Sequence, residues 1–541
     1  MAAAQIGSAL QENPTNDEPV HLTAGYIYLT TGQYSMDLEH PPLGRMLAAL
    51  PLLTLPLDRI PAEKAWTEFK NLIWASPVSA ETIMLRARLV IITLTLLLGA
   101  WLAWWTRSRF GPSVGMLALA FFAFDPTIIA HGHYVTTDLI ASLSIFLACT
   151  LWADFLETPS WQRLIAAALA LGFALASKYS AIFLLLVLPL LYVVAWLRNR
   201  RQPFFDLGAA FKTLVVMSAG VCLFIVVSYA PEIKRLIFSP NIEVARPALP
   251  TPPQPGGYTA GEILASNTPT TGLLSFGYFR GLYELVGHNS EGHPAYLLGR
   301  FGLQGWWEYF PVAFLVKTPT GVLAACVVAM LSLWHARRRP PPLLVSLCLI
   351  LPPLVFLLLA MRSSINIGVR HILPIYPFLY VVLAFILIEY SPRLLRRAWR
   401  WTCIALIVLV SVESLSVYPH YLAFFNWCSG GPANGSRYLL DSNIDWGQDL
   451  KNLGTFVNEH HLAPLCTALF SAAPASYYGI AARDLNETGM PEGVENLPCV
   501  VAVSVNVLEG HFNAPKKYAA LRRRQPLARI GYSIYLYDLR H

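Results

Sequence analysis

Charge is scarce in this chain. Lys, Arg, Asp and Glu make up 13% of its 541 residues, against roughly 25% in a soluble globular chain. Hydrophobic residues make up 55% and the mean hydropathy is +0.48. That balance excludes one large soluble core and predicts a polytopic α-helical membrane protein. The net charge of +7 is not a nucleic-acid footprint, because Lys and Arg fall in short clusters between apolar runs. No nucleotide-binding motif stands out, and no internal repeat is evident. The eight cysteines show no metal-ligand spacing. Cys149, Cys222, Cys326, Cys348 and Cys403 lie in apolar runs and read as small buried hydrophobes. Cys428, Cys466 and Cys499 lie in the polar tail. A Cys466–Cys499 disulfide is open there if the tail is extracytoplasmic.

A helix needs about 20 mostly apolar residues to cross a bilayer. By that measure about ten transmembrane helices are expected, at 84–105, 113–129, 135–156, 162–178, 180–198, 211–230, 311–334, 343–361, 371–390 and 401–419. Arg107 and Arg109, Arg198 to Lys212, Arg337 to Arg339, and Arg393 to Arg400 mark the cytoplasmic loops. Residues 1–83, the 130–134 connection, the loop 231–310 and everything after 419 then share the extracytoplasmic face. Residues 1–83 form a first outer loop with an interfacial helix at 43–57. Residues 84–419 form the membrane domain. Residues 420–541 read as a small α/β domain, helical over 446–459 and extended over 499–507 and 527–538. The Pro- and Gly-rich stretch 245–257 reads as a flexible or lid-like loop.

The unusual polar residues gather on that outer face. Asp17-Glu18 are adjacent carboxylates, whose repulsion raises one pKa or demands a cationic neighbour. The pair suits a general base, or is a solvated acidic pair. Glu39-His40-Pro41-Pro42-Leu43 holds an acid and an imidazole at the start of the interfacial helix, or is simply a turn. Asp125, His131, His133 and Asp138 raise a zinc reading, but their spacing is not diagnostic. Asp138 is the stronger intramembrane functional candidate. Lys178, Lys317 and Arg370-His371 sit at span ends, where they either snorkel or hold a lipid phosphate. Gly305-Trp306-Trp307-Glu308-Tyr309-Phe310 suits an interfacial belt or a sugar-facing wall. The stretch from Gly430 to Asp449 is dense in Gly and polar residues and reads as a loop facing the site. Asp445 is a candidate helix cap within it.

These motifs together resemble a known family. Asp17-Glu18, Glu39-His40-Pro41-Pro42-Leu43, Thr136-Thr137-Asp138 and Arg370-His371-Ile372-Leu373-Pro374-Ile375-Tyr376-Pro377 look like polyprenyl-phosphate-dependent glycosyltransferases of the GT-C fold. That group includes protein O-mannosyltransferases and the aminoarabinose transferase acting on lipid A. The resemblance spans roughly residues 15–420. His293 to Gly299 and Tyr418 to Asp449 are similar to a bacterial branch of the group.

The resemblance implies a GT-C-like fold and transfer of a sugar from a polyprenyl-phosphate carrier to an acceptor hydroxyl. It places the protein in the bacterial inner membrane with its site extracytoplasmic. It implies Asp17 as catalytic base, Glu18 as its partner and Asp138 as the second acidic residue. Glu39, His40, Lys178, Arg370 and His371 would bind substrate or carrier phosphate. No cofactor is required for such a leaving group and no metal ligands are assigned, although a family member can bind a divalent ion. A membrane transporter or lipid flippase is the alternative. Val20 stands where the lipid A branch has an arginine, so phosphate binding falls to other cations. His40 stands where that branch has lysine, so a pH-sensitive contact is expected. Only sixteen residues, seven of them polar, precede Asp17, where the family has a transmembrane helix. The expectation is a start downstream of the natural one, or a truncated chain.

Overall fold

The computed structural model describes residues 1–541 except 35, 200–203, 239–275, 336–340, 391–395, 487–493, 495–496, 512–516 and 541. The expected loop at 245–257 lies outside the described residues. The apolar runs become helices, because backbone in lipid has to satisfy its own N–H and C=O groups. Among the described residues seven helices are long and apolar enough to cross a membrane. They are Ala80–Phe110, Asp138–Glu157, Tyr179–Asn199, Leu207–Ser228, Leu343–Ala360, Val369–Glu389 and Arg397–Leu415. An eighth crossing is broken, with Tyr309–Lys317 and Thr320–Trp334 meeting at 105°. The protein is multi-pass, with seven or eight candidate spans rather than ten.

The difference has local causes. Pro112–Phe124 ends at Asp125, which caps a separate short helix, Pro126–His131, by accepting from the N–H groups of Thr127 (2.7 Å) and Ile128 (3.0 Å). Trp161–Ser177 has only 17 residues and stops where Lys178 turns extended. At the broken crossing Pro319 lacks an N–H. Freed backbone groups there are taken up by side chains. Asn426 Nδ2 donates to the carbonyls of Leu315 (2.6 Å) and Thr318 (2.8 Å), and Glu413 accepts from the Thr320 N–H (2.7 Å).

Ahead of the spans, helix Glu18–Thr31 packs on the short apolar helix Leu43–Ala49, which continues as a 3-10 turn to Thr54. After them comes the small α/β region expected. Helix Leu450–Glu459 precedes strands β3 (Leu465–Ala468), β4 (Arg483–Asp484), β5 (Val500–Ser504), β6 (Ala528–Ile530) and β7 (Ile534–Asp538), in the order β4-β3-β5-β7-β6. β1 (Ala295–Leu297) and β2 (Arg300–Gly302) form a separate hairpin. β3 runs parallel to β4 and β5, while β7 is antiparallel to β5 and β6. A Cys466–Cys499 disulfide joins β3 to the residue before β5.

The chain's first residues are stitched to this region. Helix Ala2–Gln11 leads into Asn13, whose N–H donates to the Gln448 carbonyl (3.1 Å) and whose Nδ2 donates to that of Gly447 (2.7 Å).

Candidate functional site

A cavity of about 690 Å³ opens where the spans meet the C-terminal region. It collects Asp17, Glu39, His40, Lys178, Arg370 and His371 from distant parts of the sequence. Local breaks bring them there. Asp17 sits at the start of helix Glu18–Thr31, yet its carboxylate makes no cap bond and instead meets Arg370 Nη2 at 3.1 Å. Lys178 is the extended residue between two helical segments. Arg370 lies on a 3-10 turn, Val369–Ile375, ahead of helix Tyr376–Glu389.

The loop 441–447 holds this turn in place. Asn443 Oδ1 accepts from the Val369 N–H (3.0 Å), and Ser442 Oγ donates to the Ile367 carbonyl (2.7 Å). The guanidinium of Arg370 lies 4.3 Å from the ring centroid of Trp446, a cation–π arrangement.

Asp138 lies behind the wall, not on it. It ion-pairs with Lys178 and stands 3.8 Å from Arg370, so one buried carboxylate aligns two cations. Asp138 Oδ2, Arg370 Nε and His371 Nε2 are buried polar atoms with no hydrogen-bond partner.

Glu18 points away from the cavity. Arg88 grips it at 2.6 and 2.9 Å, and the N–H groups of Thr15 and Val135 complete its shell. Burial alone would raise its carboxyl pKa, but Arg88 overrides that and holds it below the ordinary value. Asp17 is the opposite case. It keeps 36% of its side chain open to the cavity. Its enclosure nonetheless raises its carboxyl pKa, with Arg370 partly offsetting and Asp441 adding to the rise.

His40 is enclosed with its ring edge-on to His21 and its Nδ1 3.3 Å from Thr137 Oγ1. Burial, then Arg45, drives its pKa well below the usual imidazole value. That direction favours the neutral ring and runs against the expected pH-sensitive contact. Glu39 meets His288 (2.8 Å), which reaches His293 (3.1 Å), and all three line the cavity.

Other expectations resolve differently. Lys317 is buried and donates to the carbonyls of Leu422 (2.9 Å) and Asn443 (2.7 Å), so it ties the broken crossing to the tail. Asp445 does not cap a helix. It accepts from the Gly447 N–H (3.1 Å), and burial raises its carboxyl to about 8. His133 is drawn to Glu12 (2.9 Å), while His131 packs beside Trp446. Among the described residues no group of three or more His, Cys, Asp or Glu side chains is arranged to hold a metal ion.

Trp306, Trp307 and Tyr309 are not among the cavity's lining residues, and its aromatic wall is Trp66, Phe69, Trp446 and Phe470. Of these, Trp66, Phe69 and Phe470 carried no motif in the sequence, and neither did Asp37, Lys70 and His288. A second, mostly apolar cleft of about 300 Å³, lined by Phe183, Phe310, Phe356 and Leu359 among others, shares His371 with the main cavity.

The model of the dolichyl-phosphate-mannose-protein mannosyltransferase family matches residues 19–244. This is the group that the motifs resemble. The match takes in Glu39, His40, Asp138 and Lys178 and begins two residues after Asp17. No curated protein matches the chain significantly in sequence. Among solved structures the chain is similar to ArnT from Cupriavidus metallidurans bound to undecaprenyl phosphate. That alignment has 13% identity and a TM-score of 0.49, and covers 99% of this chain and 96% of that one. The same protein in the apo state aligns at 12% identity and a TM-score of 0.44, covering 99% and 95%.

Proposed function

We propose that this protein is an inverting glycosyltransferase. It would move a sugar from a polyprenyl-phosphate carrier to an acceptor hydroxyl on the extracytoplasmic face of a bacterial inner membrane. One observation carries the reading: a carboxylate with a raised pKa and two aligned cations share a single cavity at the mouth of a membrane bundle. The matched family is named for dolichyl phosphate mannose, a sugar on a polyprenyl phosphate. The apolar cleft beside His371 suits the prenyl chain of such a donor. The Cys466–Cys499 disulfide suits an oxidising compartment.

In the reaction Asp17 takes the proton from the acceptor hydroxyl. The hydroxyl oxygen bonds to the anomeric carbon as the bond from that carbon to the phosphate oxygen breaks, through an oxocarbenium-like transition state. The bonding pair stays on the phosphate, whose growing charge Lys178 and Arg370 stabilise. Asp138 positions both cations, and Glu18 with Arg88 anchors the segment that presents Asp17. The leaving group departs as a phosphate, and this reading requires no cofactor.

The broken crossing favours a transporter, since such proteins use interrupted helices at mid-membrane. Here Asn426 and Glu413 fill the break, and none of residues 318–320 lines the main cavity. The deciding test offers labelled polyprenyl-phosphate sugars to membranes containing the wild type or Asp17→Asn. Label entering an acceptor only with the wild type supports transfer, and full transfer by Asp17→Asn rejects it.

A further inference from the structure

Asn16 precedes the proposed base and lines the same cavity. Two bonds hold it to the C-terminal region. Its N–H donates to the Trp446 carbonyl at 2.9 Å. Its side-chain Oδ1 accepts from the Ala472 N–H at 2.5 Å. A backbone N–H requires an acceptor, so this contact fixes which end of the amide is oxygen. The Nδ2 group is then committed to the opposite edge of the planar amide, and among the described residues it donates to no protein acceptor.

The loop around the amide is shaped for this contact. Gly447 has φ +82°, and a Cβ there would stand 2.8 Å from the Phe470 carbonyl and 2.9 Å from Asn16 Oδ1. Glycine alone allows both the conformation and the close approach. A closed ring of contacts results. Asn16 binds Trp446, Trp446 stacks under Arg370, and Arg370 pairs with Asp17, the next residue. The Asn16 backbone is therefore tied to both the base and a phosphate-side cation, and the Ala472 bond holds its side-chain amide to the same region. Phe470 lies on the same cavity wall, whereas the Trp446 ring is buried beneath Arg370. An aromatic side chain on the wall with one rigid donor beside it suits a sugar ring, whose C–H face packs on an aromatic while a hydroxyl takes the hydrogen bond.

We infer that Asn16 is a substrate-binding residue whose Nδ2 donates to a hydroxyl of the transferred sugar. Its orientation is set by the backbone of Ala472. This rests on the glycosyl-transfer reading above.

The test pairs deoxy analogues of the donor sugar with the wild type, Asn16→Asp and Asn16→Ala. Asn16→Asp keeps the oxygen that Ala472 binds and removes the donor. Each variant is expected to lower kcat/KM with the parent sugar about tenfold, the scale of one neutral hydrogen bond. One deoxy position should cost the wild type a similar factor and cost the variants nothing further. Wild-type kcat/KM in both variants overturns the inference, and so do losses that multiply independently at every deoxy position. Thermal unfolding of the purified protein checks the fold. If Asn16→Ala unfolds, Asn16→Asp alone decides. Full transfer by Asp17→Asn would instead overturn the underlying reading. Loss of transfer in Asp17→Asn with unaffected Asn16 variants overturns this inference only.

Discussion

Asp17 and Arg370 are 353 positions apart in sequence and 3.1 Å apart in space. The arginine also stacks on Trp446, so the carboxylate faces a cation whose plane is already fixed. Asp17→Asn keeps the size and removes the base. Transfer should fall by about 10²- to 10⁴-fold, the usual worth of a positioned general base. Turnover of a labelled donor by purified protein measures it.

The pKa of Asp17 sets the direction of two pH effects. Because it is raised in the folded protein, the proton binds more tightly there than in the unfolded chain. The stability this contributes is complete below the unfolded value and is lost as pH rises through the folded one. Asp17→Asn should therefore be at least as stable as the wild type at neutral pH, by thermal unfolding in detergent. Activity runs the other way and falls on acidification, at a higher pH than an unperturbed aspartate would give. Arg370→Gln removes the charge that lowers this pKa, so the acid limb should move to higher pH. A limb unmoved in Arg370→Gln would count against Asp17 as the titrating base.

Lys178 owes its position to Asp138. Lys178→Ala should lower kcat/KM by about 10²-fold, as for removal of one electrostatic donor to a developing charge. Lys178→Arg should recover part of that, since it returns the charge with a different geometry. Steady-state kinetics with one defined polyprenyl-phosphate sugar separates the three proteins.

Glu18 and Arg88 form a fully buried pair. Glu18→Ala strands the guanidinium and should destabilise the protein by about 3–5 kcal/mol. The loss should show as a lowered melting temperature whether or not substrate is present. A Glu18 variant with wild-type stability and no activity would instead make Glu18 a participant in the chemistry.

The residues that gather at the candidate site were easier to read in the sequence than the membrane topology. Asp17, Asp138, Lys178 and Arg370-His371 were legible because charges beside long apolar runs are rare and expensive. Glu18 could not be separated from Asp17, because adjacent positions say nothing of which side chain meets Arg88 and which meets Arg370. His40 looked titratable because burial is invisible in sequence. Trp66, Lys70 and His288 reach the cavity from segments with no motif of their own. The count of crossings erred where Asp125, Lys178 and Pro319 interrupt apolar runs, since hydropathy windows average over a single breaking residue. The Cys466–Cys499 bridge was open in the sequence as one pairing among the tail cysteines. It depends on β3 and β5 being neighbours, which only the sheet order shows.

The stitching of Asn13 and Asn16 to Gly447, Gln448 and Ala472 has a temporal consequence. A ribosome makes the proposed base over 400 residues before its supports. At about 5–20 residues per second, Asp17 waits tens of seconds on a nascent bundle before the loop that orients it exists. Until then its partner Arg370 lacks Trp446 beneath it. Under the proposed function, the newborn chain should thus be inert until residues 441–472 have folded back onto Asn13 and Asn16, and it would not consume donor lipid during its own synthesis.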